Sequence, residues 1–173
     1  FTKKTLNIFF GKTNCNYIPL NNNLIDEIWK RRKTKAKNKF FKLPSTCVGE
    51  SYKLKINKVF SELKKKGADY QFITASENNA WLLNIRGYDS KYTPIPYSYI
   101  LIDRKKNIKF FCDLEKISTT FKKKFNKIKF INIKNTSLIL SQIYKKNIII
   151  DENTCSIFYK SIILRNNKIL SQQ

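Results

Sequence analysis

The chain has 173 residues, of which 42% are hydrophobic and 14% aromatic, and its 35 Lys and Arg against 12 Asp and Glu give a formal net charge of +23. This length allows one ordinary domain with a modest addition, and the apolar content suffices for a core, which excludes a globally disordered chain. The absence of His excludes Ser-His-Asp and Cys-His catalysis and His-based zinc sites within this chain.

The first 47 residues differ in character from the rest. An isolated apolar run, Leu6 to Phe10, is followed by a short helical pattern from Leu24 to Trp29. The stretch from Lys30 to Lys42 has eight Lys or Arg in thirteen positions, and repulsion between these charges favours a linker. We therefore predict that residues 1–47 are the tail of a preceding domain with a basic linker, and that residues 48–173 form the next domain.

This next domain is predicted to begin with a helix, a strand and a second helix. Apolar residues recur at helical spacing from Tyr52 to Leu63, and Gly67 marks the end of this helix. The run from Tyr70 to Thr74 alternates and is rich in strand-forming residues, and a short helix then extends from Ser76 to Leu83. The order of elements is typical of an α/β domain.

The remaining elements predict a hairpin followed by alternating strands and helices. Two apolar runs, Tyr97 to Asp103 and Ile108 to Asp113, are joined by four polar residues and indicate an antiparallel hairpin. The later elements are a basic helix end at Phe121 to Phe125, a strand at Lys127 to Ile133, a helix from Thr136 to Tyr144 and a strand at Asn147 to Asp151. The next helix is predicted to be capped by Asp151 or Asn153, and its apolar face consists of Cys155, Phe158, Tyr159 and Ile162. A last strand follows at Lys168 to Leu170. We predict an α/β sandwich, a mixed β-sheet flanked by helices.

The strong positive charge suggests a polyanionic partner, but the composition weakens that interpretation. The chain has 30 Lys against 5 Arg, whereas recognition of phosphates and bases favours Arg. Lys, Asn and Ile are all abundant, as an AT-rich coding sequence would supply. We therefore favour a solvated Lys-rich surface and do not expect nucleic acid as partner. The alternative is a free-standing basic module that binds RNA or other polyanions through Lys30 to Lys42 and Lys122 to Lys124.

Three further residue types narrow the class of protein. The four Cys stand far apart without a CxxC pair, which excludes a zinc ribbon or a disulfide-dense scaffold and favours a reducing cytoplasm. The four Gly lack the spacing of a phosphate loop or a dinucleotide fingerprint. No apolar run approaches the roughly 20 residues of a membrane span. Because the chain contains no Met, we expect it to be a processed chain or a fragment.

One segment has the character of a family signature: Ala80-Trp81-Leu82-Leu83-Asn84-Ile85-Arg86-Gly87-Tyr88-Asp89, continuing to Tyr92-Thr93-Pro94. It resembles the middle domain of the three-domain Xaa-Pro aminopeptidases, the aminopeptidase P branch of the creatinase and prolidase metallopeptidases. Asn23 to Trp29 is similar to the end of that family's first domain, and Asp151 to Thr154 is similar to a late strand-to-helix turn. The resemblance spans nearly the whole chain and implies a creatinase N-terminal-like fold. It departs at Lys30 to Lys33, where the family has acidic and Pro residues, and at Asn79, a commonly apolar position.

The resemblance implies a non-catalytic part of an enzyme that removes an N-terminal residue before proline. In that family a C-terminal pita-bread domain holds two divalent metal ions, typically manganese, on two Asp, one His and two Glu. A chain without His does not contain this set, so we predict no catalytic residue and no metal ligand here. The implied partners are the C-terminal catalytic domain, proline-containing peptides in the full-length enzyme, and a second copy in a cytoplasmic homodimer. The segment itself is expected to shape access to the active site.

Four residues of the signature are candidates for the substrate cleft or for the loop beside it. Trp81 is expected to anchor the short helix to the sheet, with a substrate-facing position as the alternative. Arg86 is expected to pair with Asp89, or else to reach an acidic group across the cleft. Asn84 is expected to cap the helix or satisfy local backbone donors, in preference to a ligand contact. Tyr92, in the Tyr-Thr-Pro run, is the fourth candidate.

Overall fold

A mixed β-sheet of six strands forms the centre of the domain in the computed structural model, which describes residues 1–18, 20, 22–29 and 38–171. The strands within these residues are β1 Phe41–Lys42, β2 Tyr70–Ile73, β3 Ile85–Arg86, β4 Tyr99–Asp103, β5 Ile108–Cys112, β6 Ile128–Asn132, β7 Asn147–Ile150 and β8 Lys168–Ser171. The sheet has the order β6-β5-β4-β2-β7-β8. Strands β1 and β3 form a separate antiparallel ribbon.

The helices of the described residues are α1 Lys3–Phe10, α2 Leu24–Ile28, α3 Tyr52–Lys65, α4 Ser76–Leu83, α5 Thr119–Lys124, α6 Thr136–Ser141 and α7 Ile157–Leu164. None of these described helices is long and apolar enough to span a membrane. Helix α3 follows Ser51, whose Oγ accepts the backbone N–H of Leu54. Gly67 comes after the helix with φ +62°, a left-handed conformation that suits Gly. The prediction of this helix is confirmed.

The strand register confirms the predicted hairpin and the mixed sheet. Strands β4 and β5 are antiparallel, with Tyr99 opposite Phe111. Strand β2 is antiparallel to β4 and parallel to β7, while β6 and β8 are parallel to their neighbours. The hairpin turn is fixed by Asp103, whose Oδ1 accepts the backbone N–H groups of Lys105 and Asn107.

Helices cover both faces of the sheet, because successive strand residues point to opposite sides. Ile100 and Ile102 of β4 pack in one core with residues of α3, α4 and α5, whereas Leu101 packs in a second core with residues of α6 and α7. Phe110 and Phe111 of β5 divide between the two cores in the same way. The fold is therefore an α/β sandwich, as the sequence predicts.

The helix after β7 begins later than predicted. Its N-cap is Ser156, whose Oγ accepts the backbone N–H of Tyr159. The predicted caps, Asp151 and Asn153, instead close the preceding turn, because Oδ1 of Asp151 accepts the backbone N–H of Asn153. Phe158 is 60% exposed, so its predicted place on the buried face is also wrong.

Helix α6 is shorter than predicted. It ends at Ser141, and Tyr144 lies outside it with its side chain exposed. Lys145 then adopts a left-handed conformation with φ +51°, which a right-handed helix does not accommodate. The basic helix end predicted at Phe121 to Phe125 corresponds to α5 and its C-cap.

The described residues of the N-terminal segment before Phe40 contribute no side chain to either core. Helices α1 and α2 contain no buried side chain, although the backbone N–H of Ile157 in α7 donates to the carbonyl of Phe1. Residues 30–37 of the predicted basic linker lie outside the described residues. Phe40 is 3% exposed in the sheet core, so packing with the sheet domain begins before residue 48. The division of the chain at residue 47 remains a prediction.

The cysteines should divide into two classes of reactivity. Cys15 and Cys47 are exposed, whereas Cys112 and Cys155 are buried. Burial raises the pKa of the Cys112 thiol to about 12 and that of Cys155 to about 11. We expect a thiol reagent at neutral pH to modify Cys15 and Cys47 quickly, and the other two only after unfolding, because the reactive species is the accessible thiolate. Rapid modification of all four in the native chain would contradict this packing.

The same burial should make the domain less stable in alkali. The pKa of Cys112 is raised in the folded state from its ordinary 9.0, so the folded state holds this proton more tightly than the unfolded state. The free energy of unfolding therefore decreases as the pH rises from 9.0 towards about 12. Urea unfolding of the parent and of Cys112→Ala at several pH values measures this, and the variant should show the smaller decrease.

Candidate functional site

The signature segment folds as the end of α4, a left-handed turn and the start of β3. Helix α4 follows β2 directly and ends at Leu83. Its C-cap is Asn84, with φ 55° and ψ 43°, in the left-handed region that Asn tolerates better than most residues. This turn directs the chain into β3, which pairs with β1 through Ile85 and Lys42.

Asn84 holds this turn through two hydrogen bonds of its buried side chain. Its Nδ2 donates to the carbonyl of Glu50 at 2.9 Å, and its Oδ1 accepts from Lys55 Nζ at 2.7 Å. Lys55 Nζ also donates to the carbonyl of Trp81 at 2.7 Å. Burial lowers the pKa of Lys55, and the nearby Glu50 carboxylate offsets part of that effect. Asn84 is the C-cap residue of α4, as predicted, but its side chain binds the distant carbonyl of Glu50 and the Lys55 ammonium, so the predicted satisfaction of local backbone donors is wrong.

Trp81 lies on the surface rather than in the core. Its side chain is 58% exposed, whereas four other residues of α4 are buried: Asn79, Ala80, Leu82 and Leu83. The indole ring contacts the Lys55 ammonium, with Nζ 4.0 Å from the ring centroid, a cation–π contact. The expectation that Trp81 anchors the helix in the core is therefore wrong.

Asn79 occupies a fully buried position of α4. Its Nδ2 donates to the carbonyl of Ser98 at 2.8 Å, which ties α4 to the start of β4. Its Oδ1 has no hydrogen-bond partner among the described residues. The Asn79 side chain thus contributes a hydrogen bond between α4 and the start of β4, where the family resemblance implies apolar packing.

Arg86 binds backbone carbonyls instead of the predicted carboxylate. Its Nη1 donates to the carbonyl of Ile85 at 2.8 Å and to that of Ala80 at 3.3 Å. Arg86 thereby connects β3 to the last turn of α4. The expected pair with Asp89 is not formed, because Asp89 is turned towards Lys116.

The Asp89–Lys116 ion pair is buried. The Asp89 and Lys116 side chains are 3% and 6% exposed, and the second oxygen of Asp89 accepts the backbone N–H of Tyr97 at 2.7 Å. The carbonyl of Lys116 accepts the backbone N–H of Phe40 at 2.9 Å. Sequence reasoning missed this pair, because Lys116 stands 27 residues from Asp89 among 30 Lys without a distinguishing pattern.

The pair closes a loop of residues 87–97, here called the tyrosine loop. Gly87 lies so close to its neighbours that an added Cβ would be 2.8 Å from the Phe40 ring and 3.1 Å from the Cα of Pro96. The loop exposes three tyrosines: Tyr88 at 52%, Tyr92 at 86% and Tyr97 at 50%. It is therefore an aromatic surface on a tightly packed base, and it includes the candidate Tyr92.

The structure brings only part of the predicted site together. Asn84 and Trp81 both contact Lys55, and Arg86 donates to a carbonyl of the last turn of the same helix. Tyr92 lies apart from them on the tyrosine loop, with its ring centroid 5.0 Å from Lys91 Nζ. No three or more Cys, Asp or Glu side chains of the described ranges form a group that could hold a metal ion.

The fold is that of a domain of known class. A family model for the creatinase/prolidase N-terminal domain matches residues 31–173, so the chain belongs to that family.

The most similar proteins include two curated relatives and one solved structure. Xaa-Pro aminopeptidase ApepP of Drosophila melanogaster is 30% identical over 119 residues, which are 68% of this chain and 19% of that protein. Aminopeptidase P1 of Arabidopsis thaliana is 30% identical over 117 residues, 68% of this chain and 18% of that protein. The crystal structure of X-prolyl aminopeptidase from Caenorhabditis elegans shares the fold, with a TM-score of 0.81 and 24% sequence identity. The match covers 90% of this chain and 27% of that chain, which is described as a cytosolic enzyme with a di-nuclear active site. The chain thus spans about a fifth of the length of the two curated relatives.

Replacing Arg86 by Ala should lower stability. Its two hydrogen bonds join β3 to the end of α4, and their loss should cost about 1–3 kcal/mol of the free energy of unfolding. The matched control is Arg165→Ala, since Arg165 is exposed at the end of α7 and its loss should change stability by less than about 0.5 kcal/mol. Urea unfolding measures both variants. An Arg86→Ala chain as stable as the parent would contradict the local role and favour the cleft-facing alternative.

Proposed function

We propose that this chain is a non-catalytic domain of a metal-dependent Xaa-Pro aminopeptidase, an enzyme that removes an N-terminal residue before proline. The domain packs beside a C-terminal catalytic domain and shapes the access of peptides to its active site. The observation that carries this proposal is that residues 31–173 match a creatinase/prolidase N-terminal domain, while a relative that is similar over 68% of this chain is an Xaa-Pro aminopeptidase.

The tyrosine loop is the part of this domain that we assign to the wall of the cleft. Three exposed tyrosines offer a large contact surface at low cost in side-chain entropy. The buried Asp89–Lys116 pair and the close packing of Gly87 fix the base of the loop. A wall that limits the entry of peptides has to be rigid in this way, because a loose loop would yield to the ligand.

The metal chemistry of this proposal belongs to the catalytic domain. We propose that the intact protein uses two divalent ions, typically manganese, in the cytoplasm and as a homodimer, and that no residue of this chain is a metal ligand. The C. elegans relative supports the first two points, as it is described as cytosolic and di-nuclear. The division at residue 47, with a preceding domain before it, is part of the same proposal.

Reading the coding sequence beyond Gln173 is the first test. We expect an open frame that contains two Asp, one His and two Glu in the family's ligand order. A frame that continues into an unrelated domain would contradict the proposal.

Removing the Tyr92 ring from the full-length protein should loosen its selectivity for short peptides. Tyr92 is 86% exposed, so Tyr92→Ala should leave the melting temperature unchanged. If the ring narrows the entrance, the ratio of kcat/KM for a long Xaa-Pro peptide to that for a tripeptide should rise by about threefold to tenfold. Steady-state kinetics on the two peptides measures this ratio.

The matched control for this experiment is Tyr144→Ala. Tyr144 is 60% exposed, and its ring centroid lies 5.1 Å from Lys145 Nζ, just as the ring centroid of Tyr92 lies 5.0 Å from Lys91 Nζ. Tyr144 follows α6 and lies outside the tyrosine loop. The control should keep the parent ratio. An unchanged ratio in Tyr92→Ala, or an equal rise in both variants, would remove the tyrosine loop from the cleft wall.

A further inference from the structure

One edge of the central sheet brings together four connecting segments of the chain. The parallel strands β2, β7 and β8 begin at this edge, and β4 ends there because it is antiparallel to β2. The segments at these strand ends are residues 64–69, 103–107, 144–147 and 164–168. We call these four segments together the basic edge.

Backbone hydrogen bonds tie these segments to one another. The carbonyl of Asp69 accepts the N–H of Arg104 at 3.0 Å, and the N–H of Asp69 donates to the carbonyl of Asn147 at 2.8 Å. The N–H of Lys145 donates to the carbonyl of Asn166 at 2.8 Å. Strands β4, β2, β7 and β8 are successive neighbours in the sheet, about 4.8 Å apart, so the four segments form one row along its edge.

The basic edge is strongly cationic. Its acidic residues are Asp69 and Asp103, and both carboxylates accept backbone N–H groups of the same edge. Ten of its twenty residues are Lys or Arg, and all ten side chains are exposed: Lys64, Lys65, Lys66, Arg104, Lys105, Lys106, Lys145, Lys146, Arg165 and Lys168. Ten positive charges against two negative ones give this edge a positive potential towards solvent.

A Lys-rich composition alone does not produce this distribution. At the opposite edge of the same sheet, the segments that lead from β2, β5, β6 and β7 to the next helix carry four acidic residues and two Lys: Asp113, Glu115, Asp151, Glu152, Lys116 and Lys134. Lys64 and Lys65 lie in the last turn of α3, where the helix dipole favours cations. That effect does not account for the three cations of the hairpin turn, Arg104 to Lys106.

The lysine side chains of the basic edge are not held in fixed geometry. In the part of the chain that the structure describes, none of their eight ammonium groups has a hydrogen-bond or ion-pair partner. Ordering a long Lys side chain against a rigid protein partner costs conformational entropy. A fluid anionic surface avoids this cost, because it attracts the ammonium groups without fixing them.

Two large apolar side chains stand among these cations. Tyr144 and Leu164 are 60% and 51% exposed, and they line one open groove together with Lys146, Arg165 and Lys168. Cations beside an exposed Tyr and Leu match the border of a lipid bilayer, where charged headgroups overlie hydrocarbon and Tyr is enriched.

We propose that the basic edge binds the surface of a membrane that contains anionic phospholipids. The cations attract the headgroups, and Tyr144 and Leu164 enter the interface between headgroups and hydrocarbon. This contact is peripheral and requires no membrane-spanning segment. RNA fits less well, because two of the ten cations are Arg and Tyr144 is the single aromatic residue of this edge, so successive bases have no row of rings to stack on.

Membrane binding through this edge leaves the tyrosine loop accessible. The loop leads into β4 at the opposite edge of the sheet, since β4 begins where the antiparallel β2 ends. The inference goes beyond the proposed function and does not depend on it, because a membrane contact requires no catalytic domain.

Co-sedimentation of the 173-residue chain with vesicles tests the proposal. The probes are vesicles of phosphatidylcholine with about 30% phosphatidylserine, vesicles of phosphatidylcholine alone, poly(U) RNA and polyglutamate, all at about 0.1 M NaCl. An edge variant combines three changes in the groove: Lys146→Gln, Arg165→Gln and Lys168→Gln. The matched control removes three exposed charges outside the basic edge: Lys53→Gln, Lys129→Gln and Lys134→Gln. A third variant combines Tyr144→Ala with Leu164→Ala.

We expect binding to the phosphatidylserine vesicles and none to phosphatidylcholine alone. Each cation near an anionic surface contributes about a factor of five, so the edge variant should bind about a hundredfold more weakly, whereas the control should stay within about threefold of the parent. The third variant should bind the vesicles about fivefold more weakly and poly(U) as the parent does.

Four results would overturn the proposal. Absence of binding to the phosphatidylserine vesicles, or an equal loss in the edge variant and its control, would show that the basic edge is no binding site. Tighter binding of poly(U) or polyglutamate than of the vesicles, or unchanged vesicle binding by the third variant, would overturn the assignment to a membrane. Circular dichroism of each variant confirms that it is folded, and none of these outcomes depends on peptidase activity.

Discussion

The buried ion pair between Asp89 and Lys116 is the constraint on which the arrangement of the candidate site depends. With side chains 3% and 6% exposed, both charges have lost most of their hydration. A desolvated charge is tolerated only when its partner and further hydrogen bonds replace the lost water. Asp89 meets this condition with both oxygens, because one binds Lys116 and the other accepts the backbone N–H of Tyr97. Moving the tyrosine loop would separate these groups, so its position is coupled to that of Lys116.

The same pair joins segments that are far apart in the sequence. Lys116 ends the 3-10 turn Leu114–Lys116 after β5, and its carbonyl accepts the backbone N–H of Phe40. The Phe40 ring in turn packs against Gly87 at the start of the tyrosine loop. Asn84, held by Lys55, fixes the turn that leads into β3 just before this loop. The tyrosine loop is thus positioned by three contacts: the ion pair with Lys116, the Phe40 ring against Gly87, and the turn at Asn84.

Local patterns predicted the sheet and most helices, because alternation, helical spacing and caps depend on neighbours in the sequence. The hairpin of β4 and β5 and the turn at Asn84 are of this kind. Contacts that depend on distant partners were not predictable: Lys116 looks like any surface Lys until the fold buries it beside Asp89. Trp81 shows a second limit. Its large ring suggests a core position, but the residues of α4 that are buried are Asn79, Ala80, Leu82 and Leu83. Side-chain size alone does not decide which face of a short helix is covered.

A double-mutant cycle on Asp89 and Lys116 tests the central role of this pair most directly. The free energies of unfolding of the parent, Asp89→Ala, Lys116→Met and the double variant are measured by urea unfolding of the 173-residue chain. Each single change leaves a buried charge unpaired, at a cost of about 3–5 kcal/mol, whereas the double change removes both charges. The account predicts that the double variant is more stable than the sum of the single losses implies, with a coupling energy of at least about 2 kcal/mol. Single losses that add within about 0.5 kcal/mol would show that the two side chains act independently and would contradict it.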